Sequence, residues 1–132
     1  MNSNLIIHHK LKNNKVFLTY TEPHSNCNKY KTELNNLLNF LEHTNLKNKN
    51  ELIIFDIGSN IGMYTLLFAN TFNKYKKIYS FEPIKKTFDF LEKNIKLNNY
   101  SNIEIFNFGF TNIEGNYHIG FPNPNIHERY KN

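Results

Sequence analysis

The chain has 132 residues, 39% of them hydrophobic and 15% aromatic, with a formal net charge of +5. That is the size of one domain that buries roughly two-thirds of its unfolded surface, so a disordered chain is excluded. No apolar run reaches the roughly 18 residues of a membrane-spanning helix, and Met1–Lys10 lacks the pattern of a secretory leader. The single cysteine, Cys27, fits a reducing, cytoplasmic setting.

In chain order, Leu5–Leu11 and Lys15–Tyr20 are β-prone runs split by Lys12-Asn13-Asn14, which predicts a hairpin. Thr21–Asn28, with Pro23, reads as a loop. Tyr30, Leu34, Leu37, Leu38 and Leu41 then form a helical stripe over Lys29 to about Thr44. Leu52–Ile57 is a continuous apolar run, the pattern of a strand covered on both faces. A mostly apolar helix is expected at Met63–Phe72 and a strand at Lys77–Phe81. An amphipathic helix through Ile84, Phe88, Leu91 and Ile95 follows, then a strand at Asn102–Phe108. Glu114–Phe121 suggests one more strand or hairpin arm. Alternation of strand and helix with short connections means right-handed crossovers and a parallel sheet, an α/β fold. The expected organisation is an N-terminal hairpin and helix over 1–50, an α/β core over 51–121 and a polar tail over 122–132.

The informative segment is Phe55-Asp56-Ile57-Gly58-Ser59-Asn60-Ile61-Gly62-Met63-Tyr64-Thr65. It leaves a buried strand and opens a helix, the place where α/β sheets bind cofactors. Gly58 and Gly62 permit a sharp turn and a close ligand. Asn60 tolerates the left-handed conformation, and the helix start offers N–H donors to a carboxylate. A nicotinamide loop needs G-x-G-x-x-G, yet Asn60 and Met63 stand at its second and third glycines. The frame Gly58-x-Asn60-x-Gly62 follows the G-x-G-x-G form of methyltransferases instead. Glu82, ending the second strand, is placed to accept ribose hydroxyls. The cofactor so indicated is S-adenosylmethionine.

The segments Phe55–Leu66, Ser80-Phe-Glu-Pro83 and Leu91–Asn98 resemble the FkbM-type family of S-adenosylmethionine-dependent methyltransferases over about Leu52–Gly115. The resemblance implies the N-terminal part of a Rossmann-like class I methyltransferase fold. It implies Gly58, Asn60 and Gly62 around the methionine moiety and Glu82 on the ribose, with Asn107, Phe108 and Gly109 near the adenine. It also implies O-methyl transfer to a sugar or small molecule. The family's later lysine-and-acid motif, similar to K-I-D-V-E-G, has no counterpart after Gly109, so a shortened member without a complete acceptor side is expected. No catalytic residue is assigned.

Other residues receive plainer roles. Asp56 is expected to bond backbone amides at the loop, and Tyr64 and Thr65 to pack the helix. His8 and His9 adjoin on a strand and point to opposite faces. His24 with Cys27 lacks a second pair, so no metal site is expected. His118 and His127 are candidate bases. With Arg129 the only arginine and the lysines scattered, the charge implies no specific nucleic-acid partner. A small-molecule or glycan acceptor is expected, and a second copy or partner chain could complete the sheet. Two alternatives remain: a non-catalytic binding fragment with an exposed sheet edge, and a nicotinamide-dependent oxidoreductase fragment.

Overall fold

The computed structural model describes residues 5–10, 16–21, 27–49, 51–72 and 74–117. Strands β1 (Leu5–Lys10) and β2 (Val16–Thr21) pair antiparallel, with Ile7 opposite Thr19 and His9 opposite Phe17. Helix α1 (Cys27–Glu42) and a short 3-10 turn at Asn45–Asn48 lead to the alternating part. Its elements are β3 (Leu52–Ile57), α2 (Met63–Thr71), β4 (Tyr75–Phe81), α3 (Lys85–Leu97) and β5 (Ile103–Phe106). The three later strands form one parallel sheet in the order β3-β4-β5. This is the parallel α/β fold that the strand–helix alternation predicts and the Rossmann-like form that the resemblance implies.

The two crossover helices differ because their surroundings differ. On α2, Met63, Thr65, Leu66, Leu67, Ala69 and Thr71 are all buried, and the helix touches α1, β2 and β4. A helix enclosed on several sides needs no polar face. Helix α3 keeps one: Leu91, Asn94 and Ile95 are buried while Lys85, Lys86, Lys93 and Lys96 stay exposed. One core joins the N-terminal and alternating parts. Phe17 of β2 and Leu34 and Leu38 of α1 pack with Met63, Leu66, Leu67, Leu91 and Ile95.

The hairpin lies against the helices, β2 touching both α3 and α2. Asn98, just past α3, completes its outer edge. The side-chain Oδ1 accepts the Leu18 N–H at 2.8 Å and Nδ2 donates to the Leu18 carbonyl at 2.7 Å, as a neighbouring strand would. Inside the hairpin the His9 ring stacks on Phe17 at 4.9 Å, and its Nε2 lies 2.7 Å from the Thr19 hydroxyl. Burial, and then the neighbouring His8, pull the His9 pKa down to about 4. His8 is exposed, so the two imidazoles diverge as strand alternation requires.

Two expectations need correction. The apolar run of β3 predicted cover on both faces, but among the described residues only one face is covered. Asp56 is buried on the helix side, whereas Ile53, Phe55 and Ile57 are 54%, 61% and 63% exposed on the other. Run length reports two apolar faces without saying that each has a layer over it. The second correction concerns the strand or hairpin arm expected at Glu114–Phe121. Residues 114–117 are not a strand, and the remainder lies outside the described residues. Tyr117 there donates its hydroxyl to the Ile113 carbonyl, a local contact in place of a ladder.

Candidate functional site

At the carboxyl end of β3 the chain passes through three left-handed residues before α2: Gly58 (φ +80°), Asn60 (φ +51°) and Gly62 (φ +92°). Such backbone costs about 1–2 kcal/mol per side-chain-bearing residue, so glycine and asparagine are the residue types it demands. The two glycines serve different purposes. A Cβ on Gly58 would meet nothing within 4 Å, so only its φ requires glycine. A Cβ on Gly62 would lie 2.8 Å from Leu91 Cδ1 on α3, so close packing adds to its φ.

The loop is tied to the end of β4. The Phe81 carbonyl accepts the N–H groups of Gly58 (2.9 Å) and Ser59 (3.0 Å) and the Ser59 hydroxyl (3.3 Å). That hydroxyl, on a residue 1% exposed, shares its one proton with the Asp56 carbonyl, the nearer acceptor at 2.8 Å. Glu82 follows at once. One carboxylate oxygen accepts the Asn60 N–H and the other the Ile84 N–H, both at 2.9 Å. Its negative charge thus sits at the start of α3, where the helix dipole favours it. From α3 the Asn94 amide donates to the Ile61 carbonyl at 2.7 Å.

Asp56 lies beneath the loop. Its Oδ2 is 2.5 Å from the Thr65 hydroxyl, which is 2.8 Å from that of Ser80. A hydroxyl has one proton to give. With Thr65 donating to Asp56, Ser80 donates to Thr65, so the buried chain is satisfied. Desolvation raises the Asp56 pKa, and hydrogen bonds from the Thr65 side chain and backbone oppose the rise. Asp56 is expected to bond loop amides, but those of Gly58, Ser59 and Asn60 go to Phe81 and Glu82, and Asp56 instead meets Thr65 in the first turn of α2. Thr65 is wholly buried, and Tyr64 reaches α1, where its hydroxyl lies 3.3 Å from Glu33.

The turn after β5 adjoins Glu82. Asn107 Nδ2 donates to the carbonyls of Glu82 (2.8 Å) and Pro83 (3.1 Å), and a Cβ on Gly109 would come 3.3 Å from Pro83. Phe108, 48% exposed, contacts the rings of Phe81, Phe106 and Phe110. Gly58, Asn60 and Gly62 therefore meet Glu82 at one end of the sheet, with Asn107, Phe108 and Gly109 on the other side of Glu82. Sequence reasoning missed Ser59 and Asn94. The spacing of Asn94 from Leu91 and Asn98 on one helical face carried the signal. Among the described residues no three His, Cys, Asp or Glu side chains could share a metal ion. His24, His118 and His127 lie outside them, as does the side chain of Cys27.

No family model matches the chain. Over 53 residues, 40% of this chain and 19% of the relative, it is 38% identical to "Uncharacterized protein MJ1452" of Methanocaldococcus jannaschii. Among solved structures it is similar to the Pyrococcus horikoshii protein PH0793, described as a candidate transferase. There the TM-score is 0.56 and the identity 20%, over 81% of this chain and 37% of that one. It is also similar to the M. jannaschii tRNA m1G37 methyltransferase, with TM-score 0.48 and identity 17%, over 79% of this chain and 28% of that one. A third is the N-terminal domain of human METTL16 in complex with SAH, with TM-score 0.38 and identity 22%, over 58% and 28%. The chain thus spans a fifth of the curated relative and under two-fifths of each solved structure.

The likeness to the P. horikoshii protein, with the three-stranded parallel sheet, shows a Rossmann-like α/β fold. The expectation of no specific nucleic-acid partner is withdrawn: the M. jannaschii protein among these neighbours is itself named a tRNA methyltransferase. Few arginines do not decide the matter, for a physical reason. Scattered charge measures non-specific attraction to phosphates, whereas specific recognition depends on contacts to base edges and shape that a charge count does not report.

Proposed function

We propose that the described α/β part binds S-adenosylmethionine and serves methyl transfer, as an FkbM-type member of the methyltransferase fold. One observation carries the reading. A loop of three left-handed residues and the carboxylate of Glu82 converge at the carboxyl ends of β3 and β4, joined by the Asn60 N–H. The donor set fits the cofactor. Gly58 leaves the space of a Cβ open beside the loop, and the first turn of α2 offers N–H groups to a carboxylate. A carboxylate has about four lone-pair sites. The two backbone amides on Glu82 leave acceptor capacity for ribose hydroxyls. Asn107, Phe108 and Gly109 border the adenine side in this reading.

The nicotinamide alternative fits less well. Its third glycine would fall at Met63, which is 4% exposed and packed in the core. Bulk stands where close helix packing would need none.

Bound here, the cofactor supplies an electrophilic methyl group whose departure leaves a neutral thioether. The protein's share is mainly alignment: the loop fixes the methionine end, Glu82 fixes the ribose, and the acceptor is held in line with the methyl. The FkbM-type resemblance directs the methyl to a hydroxyl oxygen, with the hydroxyl proton passing to a base or to water. The name of the M. jannaschii neighbour instead directs attention to tRNA. Purified protein incubated with methyl-labelled cofactor and either hydroxylated glycans or tRNA separates the two acceptor classes. Label transfer that is lost in Glu82→Ala supports the reading. Cofactor binding without transfer to any acceptor leaves the non-catalytic alternative.

A further inference from the structure

The left-handed loop is held from two directions. Phe81 and Glu82 of the β4 end supply one set of contacts, and α3 supplies the other through Asn94. Asn94 is fully buried, and its amide reaches across to the Ile61 carbonyl, between left-handed Asn60 and Gly62. One turn further along α3, Asn98 donates to the Asn94 carbonyl at 2.7 Å while gripping both backbone groups of Leu18 in the hairpin. Hydrogen bonds therefore run without a break from β2 through Asn98 and Asn94 to Ile61. Leu91, on the same face of α3, closes against Gly62.

We infer that Asn94 is a positioning residue for the cofactor loop, and that docking of the N-terminal hairpin, through Asn98, helps to set that loop before any ligand arrives. The physical reason is the conformation itself. Three left-handed residues in five are a minority state of a free loop, and a ligand binding such a loop loses affinity in proportion to the fraction out of place. A buried amide that holds the middle carbonyl raises that fraction. It also explains why Asn, a poor residue for a helix interior, stands at this fully buried position. The inference rests on the cofactor reading for its ligand but not for its loop.

The test has two readouts on the full chain. Residue-resolved hydrogen exchange of the ligand-free protein follows the Asn60 and Gly62 amides, which donate to Glu82 and to the Ser59 carbonyl. Calorimetry follows the affinity for S-adenosylhomocysteine. Asn94→Ala is expected to speed exchange of both amides and to weaken binding about tenfold, the scale of one lost buried hydrogen bond. Asn98→Ala is expected to do the same more weakly, about threefold, because it acts through α3. Leu41→Ala, a core truncation in α1, lowers the melting temperature without a selective change at these two amides. Asn94→Ser, which keeps a donor on a shorter side chain, serves if Asn94→Ala does not fold. Unchanged Asn60 and Gly62 exchange in folded Asn94 variants overturns the inference, and an unchanged loop in Asn98→Ala overturns the hairpin link. Failure of the wild-type protein to bind S-adenosylhomocysteine would remove the cofactor reading alone, since exchange still decides the loop claim.

Discussion

The carboxylate of Glu82, a residue 5% exposed directly after β4, receives the Asn60 N–H at 2.9 Å, so the end of β4 also holds the loop that precedes α2. Glu82 is thereby part of the loop's own scaffold as well as the proposed ribose acceptor. The end of β4 acts as a single brace, with the Phe81 carbonyl on Gly58 and Ser59 and the Glu82 side chain on Asn60 and Ile84.

This double role makes Glu82→Ala costly in two measurements. Folding stability should fall by about 1.5–3 kcal/mol from lost hydrogen bonds to a charged group, read by chemical denaturation. Cofactor affinity should fall as well. Glu82→Gln keeps an acceptor oxygen for one backbone amide, so it should recover part of the stability. Equal stability of wild type and Glu82→Ala would show that the bonds to Asn60 and Ile84 contribute nothing.

The two loop glycines should separate under substitution. Gly58→Ala meets no atom and bears only the left-handed penalty, about 1–2 kcal/mol. Gly62→Ala bears that penalty and also drives its Cβ into Leu91, adding about 1–3 kcal/mol. Adding Leu91→Ala should recover part of the Gly62→Ala loss in a double-mutant cycle. Additive losses would rule out the contact. Gly58→Val, with little to strike in the protein, should harm cofactor binding far more than folding.

Two titrating groups, half-buried His9 and buried Asp56, give opposite pH signatures. The folded-state pKa of His9 is lowered from 6.5 to about 4. The unfolded chain therefore binds the extra proton first, and stability is lost as pH falls from 6.5 towards 4. Asp56 has a raised pKa, so its contribution is present at low pH and diminishes as pH rises through that raised value. Melting temperatures across pH 3–8 should show a flatter acid limb for His9→Gln. Asp56→Asn should gain on wild type as pH rises. Parallel curves for wild type and both variants would contradict these assignments.

Much of this fold was legible because its signals are local. Leu52–Ile57 reads as a strand from its own residues, and the Gly58–Gly62 spacing announces the turn that follows. The start of α3 was placed within a residue of the observed Lys85, whereas β4 begins two residues before the expected Lys77, where Tyr75 pairs with Leu52. That pairing belongs to the sheet and has no signature in Tyr75 itself. The same limit explains the site. Gly58, Asn60, Gly62 and Glu82 could be listed from spacing, yet the roles of Ser59 and Asn94 depend on partners 22 and 33 positions away. The open face of β3 escaped for the opposite reason: an apolar side chain records a preference for cover without supplying it.

Isothermal calorimetry of the folded chain with S-adenosylhomocysteine and with NAD, on wild type and Glu82→Ala, bears most directly on the proposed cofactor. The account predicts saturable binding of S-adenosylhomocysteine in preference to NAD, weakened by about 1–3 kcal/mol in the variant. Tighter binding of NAD, or an S-adenosylhomocysteine affinity unchanged by the loss of the Glu82 carboxylate, would contradict it.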